Sequence, residues 1–257
     1  MKNFKIKVAD VTIEINSFYD LIYRYCKDYI VESNSIDFSV TTTKEDIEFE
    51  KSKDFLNCKE DYLEILAIHR KISEKMPEYD AILFHGSLLA LDGEGYLFTA
   101  PSGTGKSTHV RLWKEYFGDR VTIVNDDKPF LKIVGDKVIG FGTPWDGKHR
   151  LSKNISVPLK GICILTQAKE NWIKRLNKKE CYLDIYQQIY DILNNPQNKL
   201  KTLKIIDKII KVPIYKMGCT ISKEAVETAY YKMSKAESFK WERFTNVQTY
   251  VFQCIFS

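Results

Sequence analysis

Nine residues, Ala100-Pro101-Ser102-Gly103-Thr104-Gly105-Lys106-Ser107-Thr108, hold the clearest chemistry in this sequence. They fit the phosphate-loop pattern, with Ala100 at the position usually held by glycine. Gly103 and Gly105 permit the tight, left-handed backbone that turns successive N–H groups inward, toward an anion. A helix starting at Lys106 would add its N-terminus to the same site. In such a loop Lys106 contacts β- and γ-phosphates and the Ser107 hydroxyl binds Mg²⁺, while Ser102, Thr104 and Thr108 complete the cradle. The implied ligand is a nucleotide, and ATP with Mg²⁺ is the expected pair.

Phosphoryl transfer also needs a carboxylate near the metal and often a base for the attacking hydroxyl. Asp126 and Asp127 close the strand-like run Val121-Thr122-Ile123-Val124 that follows the predicted loop helix. A parallel β-α-β unit would bring them beside the loop at the carboxyl edge of a sheet. Neighbouring carboxylates face different ways, so one can serve Mg²⁺ and the other the acceptor. His85, in His85-Gly86, joins this set only in combination with it, since a lone histidine in an apolar run is more often a packed core residue. Gly142 to Arg150 is a polar loop in which Lys148 and Arg150 can clamp phosphate or carboxylate and Asp146 can reach the metal. His109, inside the loop helix, and His69, inside a helical pattern, read as structural.

These residues need elements to position them. Phe4 to Ile15 alternates as a hairpin turning at Ala9-Asp10, Phe18 to Tyr29 has helical spacing, Ile36–Val40 and Ile47–Phe49 read as strands, and Tyr62–Ile72 reads as an amphipathic helix. Residues 1–78 thus form a small N-terminal α/β lobe, with no sign of chemistry of its own. Residues 79–233 form the catalytic domain. In it, strands at Ala81–Phe84 and Ser87–Leu91 break at His85-Gly86, and the turn Asp92-Gly93-Glu94-Gly95 leads into strand Tyr96–Thr99. Helix Lys106–Tyr116 and strand Val121–Val124 follow, then a hairpin from Phe130 to Phe141. Strand Gly161–Leu165, helices Tyr182–Leu193 and Leu203–Ile210, strand Pro213–Met217 and helix Lys223–Met233 complete the domain. Residues 234–257 are an aromatic tail with no assigned role.

Composition narrows the class. With 39 basic against 34 acidic residues spread along the chain, the net charge of +5 forms no stripe for nucleic acid. No apolar run approaches the ~18 residues of a membrane span, and Met1-Lys2-Asn3-Phe4-Lys5 has no signal-peptide core, so a cytoplasmic location without membrane association is expected. The six cysteines include no C-x-x-C pair and read as buried thiols. A guanine-nucleotide switch would carry Asn-Lys-x-Asp; the nearest match, Asn177-Lys178-Lys179-Glu180, departs from it.

The ordered set His85-Gly86, the loop at 100–108 and Asp126-Asp127 resembles HPr kinase/phosphorylase and its relatives over residues 80–165. The resemblance implies the mixed-sheet α/β fold shared with phosphoenolpyruvate carboxykinases, a phosphate loop and flanking helices. It implies transfer of the γ-phosphoryl of ATP to a hydroxyl of a peptide, protein or small molecule, with serine the expected residue. It assigns His85 to the acceptor site, Asp127 to the base and Asp126 to the metal, the last two being exchangeable. True carboxykinases are about twice as long, and the closer likeness is to the shorter HPr-kinase-like proteins, some of which modify peptides. The alternatives are a nucleotide-binding regulatory module without group transfer, and a small-metabolite kinase of another fold.

Overall fold

The left-handed backbone of Ala9 and Asp10 (φ 49° and 56°) reverses the chain between β1 (Lys2–Val8) and β2 (Val11–Ser17), whose register pairs Val8 with Val11. This comes from a computed structural model that describes residues 2–53, 57–147, 150–190 and 196–235. The helical segment expected after β2 is shorter than its periodicity suggests: α1 (Leu21–Tyr25) gives way to a single 3-10 turn at Lys27–Tyr29. β3 (Phe38–Thr41) then joins β2 in parallel. Ile47–Phe49 is not a strand but lies within α2 (Lys44–Lys51). The Thr43 hydroxyl accepts from the Asp46 N–H while the Asp46 carboxylate accepts from the Thr43 N–H. This capping box fixes a helix start that the short alternation Ile47-Glu48-Phe49 cannot override. α3 (Glu60–Lys75) packs Ile65, Ile68 and Ile72 into the core.

The rest of the chain builds a nine-stranded mixed sheet. β4 (Ala81–Leu83), β5 (Ser87–Leu91) and β6 (Glu94–Thr99) lead into α4 (Lys106–Phe117), and β7 (Val121–Asn125) follows. β8 (Phe130–Val134) and β9 (Lys137–Phe141) form the expected hairpin. After the loop come β10 (Ser156–Gln167), β11 (Trp172–Arg175), α5 (Lys178–Tyr186), α6 (Pro196–Ile209), β12 (Ile214–Cys219) and α7 (Lys223–Ser234). The strand order is β4-β8-β9-β10-β6-β5-β7, with β12 on β10 and β11 on β12. β10 joins the two halves: Ser156–Pro158 pair antiparallel with β9, while later residues pair parallel with β6 and with β12. The sheet therefore curls, and helices cover it.

Side chains alternate across that sheet. Leu88, Leu97 and Val124 pack against Ile185, Ile205 and Ile209 of α5 and α6. Leu89, Tyr96 and Phe98 pack on the other face against Trp113 of α4 and Val226 of α7. A third cluster joins the N-terminal sheet and α3 to Ala81, Leu83, Phe130 and Phe141, so one core runs across the 78/79 boundary. Asn177, the first residue of the near-match to a guanine-binding motif, caps α5 instead, with Glu180 closing a capping box. The cysteines among the described residues are free thiols. No helix of the described residues is long and apolar enough to cross a membrane. The end of the segment expected to be helical to Leu193, and the tail beyond residue 235, lie outside the described residues.

Candidate functional site

β6 and β7 run parallel, but they are not neighbours: β5 lies between them, antiparallel to both. The crossover through α4 therefore spans one strand. This arrangement puts the carboxyl ends of β6 and β7 and the start of β5 on one sheet edge. The glycine-rich loop leaves β6 there, the acidic turn leaves β7 there, and His85-Gly86 enters β5 there. Gly86 is required by close approach, because a Cβ would stand 2.9 Å from the Phe98 carbonyl oxygen.

In the loop, Gly103 and Gly105 have φ of 80° and 114°, which disfavours any side chain although open space surrounds both. Gly105 precedes the first turn of α4, so the early N–H groups of the helix open onto the loop. The buried Lys106 ammonium donates to the Ala100 carbonyl at 2.9 Å. Burial pushes it below the usual lysine range, and Asp127 opposes that shift. Ser102, Gly103, Gly105, Lys106, Ser107 and Thr108 line one cavity of about 540 Å³. Thr104 stands outside that lining, where its carbonyl accepts from Gln167.

Asn125 builds the acidic turn. It is fully buried, and its Oδ1 accepts from the backbone N–H of Asp127 (2.9 Å) and Lys128 (2.6 Å). Its Nδ2 donates to Thr143 Oγ1 at 3.0 Å, which ties the turn to the following loop. The turn is also stitched to β5, since the Ser87 hydroxyl donates to the Asp126 carbonyl and Gly86 N–H to that of Asp127. Asp126 is buried and accepts from Gly147 N–H at 2.6 Å, where a Cβ on residue 147 would stand 2.7 Å from its other oxygen. Asp146 lies close by. Burial raises its carboxyl above the usual range, and the Asp126 charge adds to that.

Asp127 is half-buried, with one oxygen 3.1 Å from Lys128 Nζ and the other 3.8 Å from His85 Nε2. Burial lowers the His85 imidazole below 6.5, Lys106 adds to this, and Asp127 opposes it. The His85 backbone is clamped: its N–H donates to the Gln188 carbonyl at 2.7 Å and its carbonyl accepts from Thr99 Oγ1 at 2.8 Å. The same hydroxyl lies 3.0 Å from Gln188 Oε1, and the Gln188 side chain also hydrogen-bonds His85. His85, Asp126, Asp127, Lys128, Asp146 and Gly147 all line the cavity with the loop.

One expected anion-binding residue is not among these. Arg150 lies outside the lining and stacks its guanidinium over Tyr25, 4.4 Å from the ring centroid. Lys148 lies outside the described residues. His109 is structural as expected: it accepts from Trp113 Nε1 at 3.0 Å, and burial lowers it to about 4. The remaining wall of the cavity was not anticipated. It comes from the N-terminal lobe, through Tyr25 and the α3 residues Tyr62, Ile65, Leu66 and His69, together with Trp145. Lys128 and Gln188 were also missed. Lys128 adjoins the acidic pair in sequence and was the more legible of the two.

These features define a mixed α/β protein in which a glycine-rich loop, an acidic turn and a histidine share one sheet edge and one cavity. Residues 51–231 match the family model described as SynChlorMet cassette protein ScmC, and the chain belongs to that family. Among solved structures it matches the Hpr(Ser) kinase/phosphatase from Coxiella burnetii, with 14% identity and a TM-score of 0.33, over 59% of this chain and 98% of that one. A search of curated proteins gave no match.

Proposed function

We propose that this protein is a kinase that moves the γ-phosphoryl group of ATP to a hydroxyl of a peptide, protein or small molecule, with serine the expected acceptor residue. The observation that carries this reading is the convergence of Lys106, Asp126, Asp127 and His85 on one cavity with the loop. The loop N–H groups and Lys106 hold the phosphates, and the ammonium follows charge onto the transferring group. Asp127 orients the acceptor hydroxyl and takes its proton at one carboxylate oxygen. Lys128 and His85, on either side of Asp127, fix that carboxylate in place.

Asp126, with Asp146 beside it and the Ser107 hydroxyl on the same cavity, is a hard oxygen donor set that fits Mg²⁺. Burial raises the Asp146 carboxyl and the Asp126 charge adds to this, and a cation would relieve both. Among the described residues no group of three or more His, Cys, Asp or Glu could hold a metal. That suits an ion which takes one or two carboxylates and completes its shell with phosphate and water. When bound, the metal neutralises charge on the β- and γ-phosphates.

The test is incubation of the purified protein with γ-labelled ATP, Mg²⁺ and a set of serine peptides, free serine and cell extract, with the labelled product identified by mass spectrometry. Label on a hydroxyl supports the kinase. ATP bound without any labelled acceptor, or hydrolysed slowly on partner binding, points instead to a regulatory module. Asp127→Asn should bind ATP nearly as well as wild type and lose at least ~100-fold in transfer; full turnover in that variant would remove the base assignment.

A further inference from the structure

We infer that the N-terminal lobe supplies the acceptor subsite of this cavity, and that the subsite takes a hydroxyl carried beside an aromatic or aliphatic group. The inference rests on the kinase reading above and names its acceptor. Tyr62, Ile65, Leu66 and His69 follow i, i+3, i+4, i+7 spacing on α3, so they form one continuous helix face. That face, with Tyr25 and Trp145, lines the cavity opened by the glycine-rich loop. The ring of His69 lies 4.7 Å from that of Trp145 and 4.9 Å from that of Tyr190, which makes the base of the wall rigid.

Position decides what the wall holds. On the loop side, His85 lies 3.8 Å from Asp127 and its carbonyl accepts from Thr99, at the end of β6 where the loop begins. On the far side, Asn125 donates to the Trp145 carbonyl at 3.4 Å, and Trp145 packs on His69 of α3. The acidic pair therefore stands between the loop and the wall. In phosphoryl transfer the attacking and leaving oxygens lie roughly in line on opposite sides of phosphorus. With the phosphates on the loop and Lys106, the acceptor enters from the side of Asp127 and lays the rest of its body on α3.

Charge then restricts the class of acceptor. Asp126, Asp127 and Asp146 all border the space where the hydroxyl must sit. Lys128 is already paired with Asp127 at 3.1 Å, and Arg150 is stacked on Tyr25 at the rim. A phosphorylated sugar or a free carboxylate would bring further negative charge against Asp127 and the bound triphosphate. An uncharged, apolar-flanked alcohol instead covers Tyr62 and Leu66. Beneath that surface Trp145 Nε1 and His69 Nε2 are buried with no hydrogen-bond partner among the described residues.

The experiment compares blocked dipeptides in which phenylalanine, glycine or aspartate precedes serine, with benzyl alcohol as a non-peptide source of the same chemistry. Transfer from labelled ATP and calorimetric binding in the presence of ADP are both measured, for the wild type and for Tyr62→Ala and Leu66→Ala. The phenylalanine peptide should be preferred over the glycine peptide by about tenfold in kcat/KM, with the aspartate peptide poorest. Each variant should lose most of that preference through KM, with the KM for ATP as the reference. Equal use of the three peptides, or a preference untouched by Tyr62→Ala, overturns the inference while leaving the kinase reading intact. A rise in the KM for ATP alone would assign the wall to the adenine and also overturn it. Transfer to no hydroxyl would remove the kinase reading, and the calorimetric arm then decides the subsite: binding of the phenylalanine peptide that Tyr62→Ala abolishes upholds it, and no binding rejects it.

Discussion

Asn125→Ala tests whether one buried amide organises the acidic turn. The substitution removes an acceptor that serves two backbone N–H groups, at 2.9 and 2.6 Å, and a donor that reaches Thr143 Oγ1 at 3.0 Å. Thr143 Oγ1 keeps its donation to the Lys128 carbonyl, so it is not orphaned. The Asp127 and Lys128 N–H groups are orphaned, and both residues are only half-buried, so water recovers part of the loss. With ~1–3 kcal/mol for each unsatisfied buried group, and values near the low end for these two, the expected cost is about 3 kcal/mol once the lost amide donor is counted. Urea denaturation should show this as a lower midpoint at unchanged slope. Asn125→Asp keeps the two acceptor bonds but sets a third acid beside Asp126 and Asp127. Its folded-state pKa should be raised, so its deficit should shrink as pH falls toward the ordinary aspartate value of ~3.9 and grow above it. A loss below ~1 kcal/mol in Asn125→Ala would refute the reasoning, because the turn would then hold its shape without the amide.

Two further expectations concern histidines. Burial holds His69 well below 6.5, and the Lys128 charge adds to this, so the unfolded chain binds a proton that the folded one refuses. Stability should therefore fall as pH drops below about 6.5, and His69→Leu should reduce that slope by up to ~1.4 kcal/mol per pH unit; an unchanged slope between pH 7 and 5 would show that His69 protonates freely in the fold. Gln188→Ala should free the His85 ring and shift the pH profile of transfer with little change in the urea midpoint, whereas a lower midpoint with an unmoved profile would make Gln188 merely structural.

The glycine-rich loop was legible because its left-handed backbone demands glycine at fixed offsets. His85 and the acidic pair were legible only as an ordered set, since each alone is an ordinary turn or core residue. The β-α-β argument gave the right edge for the wrong reason: the insertion of antiparallel β5 between β6 and β7 leaves no local mark. Asn125 looked like the end of a strand because its partners at Thr143 and Trp145 lie 18 and 20 residues away. Gln188 meets Thr99 across 89 residues, and nothing near it in sequence signals that role. The α3 wall was hidden for another reason. Apolar spacing shows that Tyr62, Ile65, Leu66 and His69 share a face, but a face lining a cavity and a face buried in a core follow the same period. Ile47–Phe49 misled because Ile47-Glu48-Phe49 alternates over only three residues, too short a stretch to tell a strand period from a helical one.

β10 lends a different meaning to the order in which this chain is made. β5, α4 and β7 follow one another closely around β6, so the loop and the acidic turn can assemble from a single contiguous stretch. The far side of β6, however, is covered only by β10, through the register from Leu159 opposite Gly95 to Ile164 opposite Thr99. Until the ribosome has released that strand, Tyr96, Leu97 and Phe98 sit on an open sheet edge with unpaired backbone groups, the kind of edge that recruits other chains. The strand that carries the loop thus keeps one edge open until β10 arrives, and is among the most enclosed parts of the finished protein.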